Sequence, residues 1–289
     1  LDLIQSYGFN KKIDLHFFSI LFNRKHNLSN YNPINNNYQD YIPENLIVPG
    51  KNDVILGIKL KLYQNEYAQT KNLNNFKWTE NLNKIKSISF SIGKNIPDLG
   101  ANNDNIFIRW NATYSNFLND KHFILTKSNL HFLLTPLGEK EDGEFDFSIR
   151  YQYRFTSLTN GKISTYWKHS IGKPHFEQLL LGESTGLYGY PNFYYSGDAM
   201  LLIKSELTMI TDFEIFTIIP AISIFTTTGN TFMGDNYDDL YKLHSSIGFG
   251  FRFGLTRSAG SIVNHINFSW PIHNSIIGPS ISFHSMNSL

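Results

Sequence analysis

The chain has 289 residues, with 25 Lys and Arg against 24 Asp and Glu for a formal charge of +1, no cysteine, 17% charged and 15% aromatic residues. The absence of cysteine excludes disulfides and thiolate chemistry, and the near-neutral balance lacks the basic footprint of a nucleic-acid binder. The charged share lies below the roughly 25% of an ordinary soluble domain, so the aromatic surface must be kept from water in some other way.

Taken in chain order, the sequence shows a period of two. Leu56, Ile58, Leu60 and Leu62 alternate with Gly57, Lys59 and Lys61. Ile88, Phe90 and Ile92 alternate with Ser89 and Ser91, and Ile106, Ile108, Trp110 and Tyr114 oppose Arg109, Asn111, Thr113 and Ser115. The longest run, FDFSIRYQYRF from Phe145 to Phe155, sets Phe145, Phe147, Ile149, Tyr151, Tyr153 and Phe155 against Asp146, Ser148, Arg150, Gln152 and Arg154. Further on, Ile247, Phe249, Phe251, Phe253 and Leu255 oppose Ser246, Gly248, Gly250, Arg252 and Gly254, and Ile266, Phe268 and Trp270 oppose His265, Asn267 and Ser269. Such alternation belongs to strands with one apolar and one polar face. Polar breakers separate the segments, at HNLSNYNPINNNYQD, LGANNDN, LGEKEDGE and TTTGNTFMGDNYDD.

The pattern predicts roughly twelve or thirteen strands and no helix. The longest apolar stretch, Ile215 to Phe225, is interrupted by Thr217, Pro220 and Ser223 and falls short of the ~20 apolar residues of a spanning helix. Several strand candidates run to about ten residues, against a usual five or six in soluble sheets. A soluble β-sandwich or lipocalin-like barrel would turn the apolar faces inward with the same periodicity. The charge deficit, aromatic load and strand length favour the other orientation, an antiparallel transmembrane β-barrel with apolar residues facing lipid.

The stretch LLLGESTGLYGYPNFYYSGDAMLLIKSEL, Leu179 to Leu207, resembles the signature region of the BamA/TamA and haemolysin-activator superfamily of bacterial outer-membrane barrels. There a long extracellular loop carries an Arg-Gly-Phe/Tyr tripeptide and folds into the lumen, and a Gly-Asp and a strand glutamate follow. Gly189-Tyr190, Gly197-Asp198 and Ser205-Glu206-Leu207 match. Phe225 to Asn230 resembles the family's F-x-D-x-G-N strand end, and Ser246 to Phe253 with Ile262 to Pro271 resembles its penultimate strands. Five strand candidates follow the loop, as in a sixteen-stranded barrel of this type: Met200–Met209, Glu214–Phe225, Leu240–Leu255, Ser261–Trp270 and Ser280–His284. Two positions depart from the pattern: Tyr188 stands where the loop arginine is expected, and Thr227 where the strand aspartate is.

The resemblance implies one outer-membrane barrel domain over 1–289, with 171–198 as the loop folding into the lumen. It names Tyr188, Gly189, Tyr190, Gly197 and Asp198 as the loop motif, and Glu206 and Thr227 as its partners on the wall. With a buried charged pair lost at both ends, a neutral contact would hold the loop, Tyr188 stacking on lumenal aromatics and hydrogen-bonding to Glu206 or Thr227. The opening LDLIQSYGF has neither a start Met nor a signal-peptide core. The expectation is therefore the C-terminal part of a longer protein, without its first strands and without upstream periplasmic POTRA repeats. The implied function is insertion or translocation of proteins at the outer membrane. The alternatives are an anchor for an upstream patatin-like or metallophosphatase domain, and a passive pore. The implied partners are outer-membrane lipids, lipopolysaccharide and client outer-membrane or secreted proteins.

No residue here is expected to do chemistry. Gly182-Glu183-Ser184-Thr185-Gly186 matches G-x-S-x-G, but that motif has meaning only between a strand and a helix. The ten histidines form no H-x-H or H-x-x-x-H pair, so neither metal nor cofactor is expected. Asp235, Asp238 and Asp239 with Asn230 and Asn236 lack calcium-loop spacing and read as a solvated loop. Asn111-Ala112-Thr113 is a glycosylation triplet inside a strand. Trp110, Trp167 and Trp270 read as interfacial girdle residues.

Overall fold

The computed structural model describes residues 2–8, 11–24, 30–32, 37–39, 50–74, 76, 79–173, 177–233, 242–257, 262–272 and 278–287. Thirteen strands form one antiparallel sheet. In chain order they begin with β1 (Asp2–Tyr7), β2 (Lys11–Arg24), β5 (Lys51–Lys71), β6 (Thr79–Asn95), β7 (Ile106–Asn119), β8 (His122–Leu134), β9 (Lys140–Arg154) and β10 (Thr159–Ile171). They continue with β13 (Ala199–Ile210), β14 (Ile218–Phe232), β15 (His244–Leu255), β16 (Ile262–Ile272) and β17 (Ser280–Asn287). Two short hairpins lie outside the sheet, β3 (Asn30–Asn32) with β4 (Asn37–Gln39), and β11 (Leu179–Leu181) with β12 (Tyr195–Gly197). No helix is long and apolar enough to cross a membrane.

Each main-sheet strand pairs with its neighbours in sequence, so the sheet is an up-and-down meander with β1 and β17 at its edges, unpaired with one another among the described residues. From β5 to β16 the main-sheet strands run from 11 to 21 residues, enough for the ~9–11 residues of a tilted membrane-spanning strand. At one end the strands meet in brief connections such as 120–121 and 155–158. At the other, longer segments intervene, above all 172–198 between β10 and β13. Brief turns at one end and longer loops at the other are the asymmetry of an outer-membrane barrel.

The side chains settle the orientation that periodicity leaves open. On β14, Ile222 and Ile224 are exposed while Ser223 and Thr227 are buried. On β15, Ile247, Phe249 and Phe251 are exposed and Arg252 is buried, and on β6 Ile88, Phe90 and Ile92 are exposed over buried Ser89 and Ser91. The sheet is inside out relative to a soluble protein. In water that arrangement would leave the apolar face unburied while desolvating the polar one, whereas in a bilayer the same face is matched to hydrocarbon.

The polar face is the concave one. The turn after β5 folds beneath it, so that Phe76 packs with Ile210, Ile219, Ala221 and Val263 from the far strands. Glu80 fixes this turn by accepting from the backbone N–H groups of Leu73 (2.8 Å) and Asn74 (2.9 Å). Asn72 donates to the Ser157 carbonyl at 2.9 Å, and Gln152 to the Asn74 side chain at 2.9 Å. At the loop end, Lys51 on β5 reaches past three intervening strands to Asp142 at 2.6 Å and Glu141 at 3.2 Å on β9. The early strands thus meet the late ones across an interior, which only a strongly curled sheet permits.

Candidate functional site: the loop inside the curl

Between β10 and β13 the chain turns back over the concave face. Leu179–Leu181 and Tyr195–Gly197 zip into a hairpin stem, whose tip carries Tyr188 to Tyr190. An apolar cluster of Leu181, Leu187, Tyr190, Met200 and Leu202 presses the loop onto β13. Leu181 and Leu187 have no exposed surface and Tyr190 is 1% exposed, so this segment is seated and not draped in solvent.

Each motif residue has a definite place. Gly189 adopts φ +86, where a side chain would be strained, and lies against Ser246 and Pro271 of the wall. The Tyr190 hydroxyl donates to the Ser245 carbonyl on β15 at 3.2 Å, and its ring adjoins His244, on which Tyr195 stacks with centroids 4.3 Å apart. A Cβ on Gly197 would meet the Phe232 carbonyl oxygen at 2.4 Å, so only glycine lets the stem approach β14 this closely. Beside it the Asp198 N–H donates to the Phe232 carbonyl at 2.7 Å, and the Asp198 carbonyl accepts from the Ser170 N–H at 2.7 Å. Asp198 therefore joins loop, β10 and β14 through its backbone.

Tyr188 sits edge-on to Phe225 of β14, with centroids 5.3 Å apart, and tilts against His284 of β17 at 5.4 Å. The Lys204 ammonium lies 5.3 Å from the ring centroid, within cation–π range. Burial, with the nearby Glu206 charge, pushes the Tyr188 phenol up to about 12. Burial and neighbouring tyrosines also raise Tyr190 and Tyr195.

The wall residues named from sequence make their closest polar contacts with other strands. Glu206 accepts from Arg252 Nε at 3.0 Å and Nη2 at 2.7 Å, and Arg252 Nη1 donates to Asn267 at 2.7 Å. Thr227 shares a hydrogen bond with Ser246 at 2.8 Å. The seat of Tyr188 is thus aromatic and cation–π, and the carboxylate below it is satisfied by β15. Sequence reasoning placed Arg252 on a polar face without assigning it a partner. The register β13–β14–β15 is what brings it to Glu206.

The G-x-S-x-G stretch forms a single 3-10 turn, Glu183–Thr185, closed by Gly186 at φ +109 and followed by further turns with no helix. Ser184 is exposed and its N–H is held by the Asn192 side chain at 2.8 Å, so the motif is a turn and not a nucleophile elbow. Among the described residues no His, Asp or Glu cluster is arranged to hold a metal. Asp235, Asn236, Asp238 and Asp239, like His26, His175 and His273, lie outside the described residues.

No family model matches the sequence, and no curated protein matches it. Among solved structures, the chain is similar to CdiB from Escherichia coli, at 13% identity and a TM-score of 0.46 over 97% of this chain and 51% of that one. It is also similar to BamA from Haemophilus ducreyi lacking POTRA domains 1-3, at 8% identity and a TM-score of 0.47 over 96% of this chain and 59% of that one. The chain spans little more than half the length of either.

Proposed function

We propose that this chain is the membrane-embedded wall of a bacterial outer-membrane barrel of the BamA/TamA and haemolysin-activator type, and that it takes part in inserting or translocating proteins. The observation that carries the reading is the inverted sheet, with Ile58, Phe90, Ile224 and Phe249 outward and Ser91, Ser223, Thr227 and Ser246 inward. That polarity needs lipid on the convex side, which supports outer-membrane lipids and lipopolysaccharide as the proposed surroundings. The handling of proteins rests on the sequence resemblance of the loop, supported by the loop's seat on the concave face at Gly189 and Tyr190. The wall supplies a curled surface, the loop lies against its concave face, and the client is an unfolded outer-membrane or secreted polypeptide. No side chain is assigned a chemical step.

The test uses the native full-length polypeptide, purified and reconstituted in liposomes. An unfolded outer-membrane barrel client is added, and its acquisition of protease resistance is followed against empty liposomes. Faster protection of the client supports the reading. A rate equal to that of empty liposomes, with the reconstituted protein itself folded, removes protein insertion and leaves the anchor and pore readings.

A further inference from the structure

The concave face carries an imbalance of charge larger than the loop seat and the fold account for. Residues directly opposite one another in an antiparallel pair share a face, so the register can be followed from strand to strand. On the early wall, Lys61 lies opposite buried Asp14 and Lys59 opposite buried His16. Arg109 follows opposite buried Ser91 on β6, and Lys127 opposite Thr113 on β7. These four cations face buried Asp14 and Asp2, which holds His16 at 3.0 Å, while Asp53 and Asp142 line the recess beside Arg109 towards the loop end.

On the late wall, Arg150 lies opposite Ser164, Lys204 opposite the same Ser164, and Lys162 opposite Glu206. With Arg252, these are four more cations against Glu206 on the wall and Glu183 on the loop above it. Among the described residues, Arg252 is the one of the eight that forms an ion pair, to Glu206 at 2.7 Å. Lys204 instead rests near the Tyr166 and Tyr188 rings. The acids of the concave face gather elsewhere, at the loop end, where they are already engaged: Glu141 and Asp142 with Lys51, Asp146 with Lys168, and Glu144 with Lys168 and Lys173.

An enclosed passage lined by one sign of charge with low-dielectric walls concentrates the opposite ion and excludes its own. Rings of Lys and Arg are how pores select anions. We propose that the middle of the concave face is an anion-binding belt, taking small inorganic anions such as chloride and phosphate, and that current through the barrel is carried by anions. The belt extends directly beneath the loop, since Lys204 touches the Tyr188 ring and Glu206 lies beside it. The inference rests on the reading of the sheet as a membrane barrel and is independent of any client.

The test is single-channel recording of the full-length protein in a planar bilayer under a KCl gradient. It is run on the intact protein and on a variant in which 183–196 is replaced by a short Gly-Ser linker to open the lumen. The expected reversal potential favours chloride over potassium by about threefold or more, and phosphate added to one side reduces the chloride current. K59Q/K61Q/K162Q/K204Q brings the permeability ratio towards one, and K127Q alone moves it part of the way, which keeps the test decisive if the quadruple variant does not fold. A cation preference, a ratio unmoved by these substitutions, or a loop-opened protein that inserts but does not conduct overturns the belt. Failure of the protein to enter the bilayer at all overturns the barrel reading as well, and that outcome is recognisable because the inserted fraction is measured first by alkaline extraction of the vesicles.

Discussion

At the scale of single residues, the Glu206–Arg252 pair has the clearest energetic consequence. Arg252 is 3% exposed and its guanidinium is shared between Glu206 and Asn267. Removing one member of such a pair strands the other charge, at a cost of about 3 kcal/mol. The expected outcome for E206Q is a stability loss near that size in urea unfolding of the lipid-refolded protein. E206Q/R252M should recover most of it, because neither charge is then left alone. Equal losses in the single and double variants would show that the pair contributes nothing specific. Tyr188 gives a second prediction, through pH. Its phenol ionises near 10 in an unfolded chain but only at about 12 in the seat, because burial and Glu206 disfavour the phenolate. The seated loop is therefore fully stabilised below pH 10 and loses that stabilisation as pH rises from 10 towards 12. Protease cleavage within 183–196 should accelerate over that window, and Y188F should flatten the part of the rise due to this residue. Tyr190 and Tyr195 are shifted in the same direction, so some rise remains in Y188F. These contacts show what sequence could and could not say here. The motif picked out Tyr188, Gly189 and Tyr190, which the structure sets against the concave face, but the hydrogen-bond partners of Glu206 and Thr227 depend on register across β13, β14 and β15, which no local pattern encodes.

At the scale of elements, the alternation is the part most directly legible, because a strand with two different environments must alternate. The Phe145–Phe155 run lies in β9 up to Arg154, and the five segments after the loop correspond to β13 to β17 with ends moved by up to seven residues. Which face meets lipid is a different question, since a soluble barrel and a membrane barrel share the period. The structure answers it through Ile58 outward and Lys59 inward on the same strand. Exchanging polarity at these neighbours tests that answer directly. Ile58→Lys places a charge on the lipid face and should cost about 2–4 kcal/mol near the bilayer midplane. Lys59→Leu removes a charge from a repulsive, water-facing belt and should be close to neutral, both read by urea unfolding in the same lipid. Comparable losses at the two positions would mean that the faces are assigned the wrong way round. The turn carrying Phe76 had no sequence signal. The inward placement of Leu73 and Phe76 depends on Glu80 capping the turn and on the pocket formed by Ile210, Ile219 and Val263.

At the scale of the whole molecule, every main-sheet strand is paired with its sequence neighbours, the interior is crossed by Lys51, Gln152 and Phe76, and the two edges belong to β1 and β17. The cationic belt emerges only at this scale. Lys59, Lys61, Arg109, Arg150 and Arg252 each stand on the polar side of a different alternating segment or at a different point along it, where they look like ordinary solvated positions. Register and curl turn them towards one another. A sheet of this kind in a bilayer has its backbone groups paired within the wall, so unfolding it requires many ladder bonds to break together. The expected consequence is detergent resistance: the native polypeptide, extracted from a membrane fraction and left unheated, should run faster on a denaturing gel than the boiled sample, because the compact wall binds less detergent than the extended chain. The test also separates the wall from the loop, since G189A strains a position at φ +86 by about 1–2 kcal/mol yet touches no ladder bond. G189A should open the loop to protease and leave the mobility shift intact. A protein found in the soluble fraction with no shift on heating would put the apolar face in water, and the membrane reading and the anion belt would both be wrong.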